Sequence, residues 1–106
     1  MKILLDECLP KDLKSVFPDH EVKTVKEMKW NGKKNGELLS LMTKSDFEVF
    51  ITIDSNMIHQ QNLKKYSIII ASLSANSNDI NVLIPIVKRI NKRVKSLQSG
   101  RVYYFK

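Results

Sequence analysis

Cysteine, glycine and proline are all scarce in this chain: one Cys, 3 Gly and 3 Pro among 106 residues. The single cysteine, Cys8, excludes an internal disulfide and a zinc site built on several thiolates. So little glycine and proline, beside 42% hydrophobic residues, excludes a collagen-like repeat and a low-complexity chain. Long apolar runs are missing too, and none approaches the ~20 residues that a membrane-spanning helix requires. The opening Met1-Lys2-Ile3-Leu4-Leu5 meets Asp6-Glu7 at once, which leaves no signal-peptide core. The expectation is one soluble, cytoplasmic domain over residues 1–106, with no membrane attachment.

Acidic charge is the remaining shortage. Asp and Glu number 11 against 18 Lys and Arg, for a net charge of +7. No acid follows Asp79, whereas Lys88, Arg89, Lys92, Arg93, Lys95, Arg101 and Lys106 do. A segment of this kind attracts a polyanion by counterion release, and RNA or DNA is the commonest such partner. An acidic protein partner fits the same residues, and so does a plain solvated face.

What is present is an alternation of short apolar runs with helical segments. Lys2–Asp6 reads as a first strand and Asp12–Phe17 as a short helix stopped by Pro18. Glu21–Val25 alternates polar and apolar residues, the pattern of a second strand. Glu27–Lys34 reads as a basic loop holding Trp30, the only tryptophan, and an amphipathic helix then runs from about Asn35 to Lys44. Val49–Ile53 and Ser67–Leu73 are nearly continuous apolar runs, as in parallel strands covered on both faces. Ile80, Leu83, Val87, Ile90, Val94 and Leu97 form one helical stripe, with Lys88, Lys92 and Lys95 opposite it. Pro85 is expected near that helix's first turn, or else to kink the helix, and Arg101–Phe105 closes the chain as a fifth strand. The sum is a three-layer α/β domain with a mainly parallel, roughly five-stranded sheet.

In such sheets ligands bind beyond the carboxyl ends of the strands, where strand order reverses. Asp6 ends the first strand, Asp54 follows the third, and Glu37 opens the helix after the second, so all three fall on that edge. Oxygen-only clusters of this kind suit Mg²⁺ or Mn²⁺. The structural alternatives are turn capping for the two aspartates and a dipole-favoured position for the glutamate.

Several segments resemble a bacterial PIN-like family. Leu4-Leu5-Asp6-Glu7-Cys8-Leu9-Pro10 resembles its D-E-N-L-P opening, and His20-Glu21-Val22 its G-H-x-V turn with Asp19 in place of Gly. Trp30-Asn31-Gly32 and Asn35-Gly36-Glu37-Leu38-Leu39 resemble its W-x-G and N-G-E-L-L segments. Residues 52–63, from Thr52-Ile53-Asp54-Ser55-Asn56 to Gln60-Gln61-Asn62-Leu63, are similar to T-V-D-x-N-L-x-x-Q-Q-N-L. The resemblance implies a PIN-type, divalent-metal-dependent endoribonuclease, possible toxin of a toxin–antitoxin pair, with RNA and an antitoxin protein as partners. Asp6, Glu37 and Asp54 match the family's first three acids. Asn56 stands where a further acid is common and is the candidate fourth metal ligand, and Cys8 replaces the motif's Asn. Gln60 and Gln61 are candidate RNA contacts beside Lys88, Lys92 and Lys95, with helix capping the alternative for this amide run and the favoured one for Asn56. Trp30 is a candidate for base stacking, for anchoring its loop or for a homodimer contact.

Two other readings use the same residues. A non-catalytic PIN-like module would bind RNA or a partner protein without cutting it. A phosphoacceptor receiver would use Asp6, Glu7 and Asp54, but offers only Lys106 beyond the fifth strand and no task for Glu37.

Overall fold

The computed structural model describes residues 1–33, 35–53, 63–75 and 77–106, with the side chains of Asn35, Leu63 and Lys64 left aside. Five parallel strands form one sheet: β1 (Lys2–Leu5), β2 (Glu21–Thr24), β3 (Val49–Thr52), β4 (Ile69–Leu73) and β5 (Val102–Phe105), in the order β2-β1-β3-β4-β5. All five strands expected from the sequence are present, and the sheet is wholly rather than mainly parallel.

Side-chain alternation splits the core into two layers. Ile3, Leu5, Val49, Ile51, Ala71 and Leu73 point to one face. Over them lie helix α2 (Ile80–Arg93), through Leu83, Val87 and Ile90, and the short 3-10 segment Lys11–Val16, through Leu13. Leu4, Phe50 and Ile70 point to the other face, under Leu38, Leu39 and Met42 of helix α1 (Asn35–Lys44). β1, β3 and β4 are buried throughout apart from Lys2, which is why they read as continuous apolar runs.

The α2 crossover is unusual. β1 to β2 and β4 to β5 are both connected across the same face, yet they step in opposite directions along the sheet. The two connections therefore have opposite hands. The β2–α1–β3 connection steps the other way on the other face, so it shares the hand of β1 to β2. The β4–α2–β5 unit thus has the hand opposite to these two, whereas parallel crossovers ordinarily share one hand.

Pro85 corrects one expectation. α2 begins after Asp79, whose side chain caps the Asn81 N–H at 2.8 Å, and this puts Pro85 in the second turn rather than the first. The missing N–H deprives the carbonyl of Asn81, an exposed residue that water can serve. The first short helix is a 3-10 segment rather than an α-helix, and the apolar stripe of α2 runs on through a 3-10 turn, Val94–Ser96.

Candidate functional site

Asp6 is held from several sides. It is the first residue after β1, and its N–H donates to the Ile51 carbonyl of β3 at 3.0 Å. Its own carbonyl accepts from Leu9 at 3.0 Å, which closes the turn leading to Pro10. The carboxylate is clamped as well: Oδ1 accepts the Glu7 N–H at 2.8 Å, and Oδ2 accepts the Thr52 hydroxyl at 2.6 Å. Thr52 ends β3 and is fully buried. Asp6 therefore sits between the ends of β1 and β3, the point at which this strand order reverses direction.

Two cavities meet at Asp6 and Glu7. The larger, about 720 Å³, opens between the Lys11–Val16 segment and the turn after β2, and includes Leu9, Lys11, Thr24 and Lys26 in its walls. The smaller, about 220 Å³, lies toward α1 and is lined by Cys8, Trp30, Lys33, Leu38 and Phe50. Trp30 meets the Phe47 ring edge-on at 5.7 Å and packs on the α1 core, so it anchors this loop while part of it faces the cavity.

The turn after β2 is locked by a reciprocal pair of bonds. The Glu27 N–H donates to the Thr24 hydroxyl at 3.1 Å, and the Thr24 N–H donates to Glu27 Oε1 at 2.9 Å, a capping-box arrangement. Glu27 also pairs with Lys14, and the Lys14 bond is the main reason its carboxyl is held below the usual glutamate range. Lys11 and Lys26, both exposed, have no carboxylate in ion-pair reach among the described residues.

Glu37 lies in the first turn of α1, as its spacing predicts, but its side chain is 56% exposed and pairs with Lys33 at 3.9 Å. Lys33 and Leu38 line the Asp6 cavity, which brings the start of α1 to the expected edge. Asp54, Asn56, Gln60 and Gln61 lie outside the described residues. Among the described residues no three acidic, His or Cys side chains come together as a metal cage. The oxygen donors around Asp6 match in kind what a hard divalent cation takes. Cys8 is exposed at its surface, yet partial burial, and then the Asp6 carboxylate, push its thiol above the usual range, the direction that disfavours a thiolate.

The structure does not bring the basic face of α2 to this edge. Lys88, Lys92 and Lys95 are all exposed. α2 starts beyond the carboxyl end of β4 and runs back toward the start of β5, so Lys92 lies about 18 Å along it from Ile80. Lys95 acts electrostatically on His20, which contacts the Met1 amino group at the opposite edge.

Thr52 and the lysines of the larger cavity were not expected from the sequence. For Thr52 a signal exists: a hydroxyl ending an apolar strand two residues before Asp54. Lys11 and Lys26 carry none, because their proximity depends on the path of two connections. No family model, no curated protein and no solved structure matches this chain.

Proposed function

We propose that the chain is a PIN-like hydrolase of RNA phosphodiesters whose reaction takes place beside Asp6. The observation that carries this reading is the Asp6 carboxylate, clamped by Thr52 and the Glu7 N–H at the strand-order reversal where two cavities meet. Asp6 would hold a Mg²⁺ or Mn²⁺ ion together with Asp54, with Asn56 and Glu37 as further oxygen donors. When bound, such an ion lowers the pKa of water and offsets charge on the phosphate.

This chain's own residues do the positioning. Thr52 fixes one carboxylate oxygen of Asp6 and the Glu7 N–H fixes the other, so the remaining lone pairs keep a constant direction. Glu37 must leave Lys33 to take part; an exposed pair of that kind is worth less than ~1 kcal/mol, so the cost is small. Gln60 and Gln61 would be further RNA contacts. Lys88, Lys92 and Lys95 lie away from it, which favours an acidic protein such as an antitoxin as their partner over the strand being cut. A homodimer through the Trp30 loop belongs to the same reading.

The test is a labelled single-stranded RNA pool incubated with Mg²⁺, Mn²⁺ or EDTA. Cleavage should require the metal and fall on the order of 100-fold or more in Asp6→Asn and Asp54→Asn proteins, since residues acting as one unit fail together. Cleavage that survives EDTA or either substitution overturns the reading. RNA binding without cleavage under any metal identifies a binding module instead.

A further inference from the structure

We infer that the 720 Å³ cavity is the subsite that holds the RNA backbone next to the reacting phosphate, with Lys11 and Lys26 as its phosphate contacts. The inference rests on the hydrolase reading for the identity of the anion, and on the cavity itself for the place.

Three lysines line this space, and they are not equivalent. Lys14 is committed to Glu27, which is itself tied to the backbone of Thr24. Lys11 and Lys26 are committed to nothing among the described residues, although Asp6 and Glu7 line the same cavity. Asp6 and Glu7 stay more than ion-pair distance from both uncommitted lysines. The carboxylates of Asp6 and Glu7, suited to a cation, and the uncommitted ammoniums of Lys11 and Lys26, suited to an anion, thus line one open volume.

Both lysines stand on fixed backbone. Lys11 opens the 3-10 segment, which Leu13 anchors under α2. Lys26 sits inside the Thr24–Glu27 capping box, and Met28 and Lys29 donate to the Thr24 and Lys26 carbonyls at 3.2 and 3.0 Å. Leu9 also lines the cavity, which gives its surface an apolar part, and the groups it offers to an anion are the ammoniums of Lys11 and Lys26. A site of this composition reads the backbone and not the sequence. Single-stranded RNA fits it as a charged chain.

The experiment measures binding of a short fluorescein-labelled single-stranded RNA by anisotropy, in EDTA, between about 50 and 200 mM salt. Wild type is compared with Lys11→Gln/Lys26→Gln and with Lys88→Gln/Lys92→Gln/Lys95→Gln. Each phosphate contact on a single strand contributes about 0.7 to the slope of log K against log salt. The cavity variant should therefore lose about 1.4 of that slope, and the α2 variant should keep it. Thermal unfolding of both variants checks that the exposed substitutions leave the fold intact. An unchanged slope in the cavity variant overturns the subsite, as does loss confined to the α2 variant or no binding by wild type. The hydrolase reading is judged separately. Metal-dependent cleavage with an unchanged slope removes the subsite alone, and a lost slope without any cleavage upholds the subsite and removes hydrolysis.

Discussion

At the amino edge of the sheet the polar groups close the fold, whereas at the carboxyl edge they surround open space. Lys2 shows the first kind: its ammonium donates to the Ser45 carbonyl just after α1 at 2.7 Å and lies 4.5 Å from the centre of the Phe47 ring. His20 shows it as well, its ring edge-on to Phe17 at 6.4 Å and its backbone N–H donating to the Phe17 carbonyl at 3.2 Å. At the carboxyl edge the bonds are as short, but Asp6, Glu7 and Thr24 face cavities instead of packed side chains. Order that ends in packing is explained by stability. Order maintained around a void requires another explanation, and that contrast directs the functional reading to one edge.

The sharpest way to break the contrast is Thr52→Val. The swap keeps the volume of a fully buried side chain and removes the donor to Asp6 Oδ2. If the carboxyl edge is a working site, metal-dependent cleavage should fall about 10- to 100-fold, the usual cost of losing an orienting partner. Circular dichroism should show the fold retained. Activity equal to wild type would mean that the hydroxyl serves folding only, and the two edges would then be alike.

Thr24→Ala comes next in size. Removing the hydroxyl breaks half of the capping box that carries Lys26, which should lower stability by about 0.5 to 2 kcal/mol in urea denaturation. A change below that range would show that the Val25 N–H to Leu5 carbonyl bond, 3.1 Å, already holds the turn.

Much of this contrast was legible in the residues, and the illegible part has a definite cause. Strand faces, helix stripes and the placement of Asp6 and Glu37 follow from local periodicity, because each needs only the chain nearby. The basic stripe of α2 was legible as a stripe but not as a location. Its distance from Asp6 depends on α2 running back from the carboxyl edge to the amino edge. Lys11 and Lys26 are separated by a strand and a turn, and they line one cavity only because the first crossover is a short 3-10 segment. Pro85 fell a turn later than its residue type suggests, because the Asp79 cap sets where α2 starts.

The smallest effect belongs to the amino edge and concerns His20. Burial lowers its pKa below the usual histidine value first, the Met1 ammonium second and Lys95 third, with Asp19 and Glu48 pulling the other way. The 3.1 Å contact between the Met1 nitrogen and Nδ1 fits this direction, since an ammonium can donate only to an unprotonated ring nitrogen. A depressed folded pKa means that the unfolded chain binds the proton more readily. The contribution of His20 is then complete above the unfolded pKa near 6.5 and is lost as pH falls through the folded value. Wild type should lose stability between about pH 7 and pH 5 faster than His20→Gln, by at most ~1.4 kcal/mol per pH unit, the limit for one proton. Thermal melts of the two proteins across that range measure the difference. Parallel curves would show that the amino edge tolerates a charged imidazole, and that its polar groups are held less tightly by packing than the distances imply.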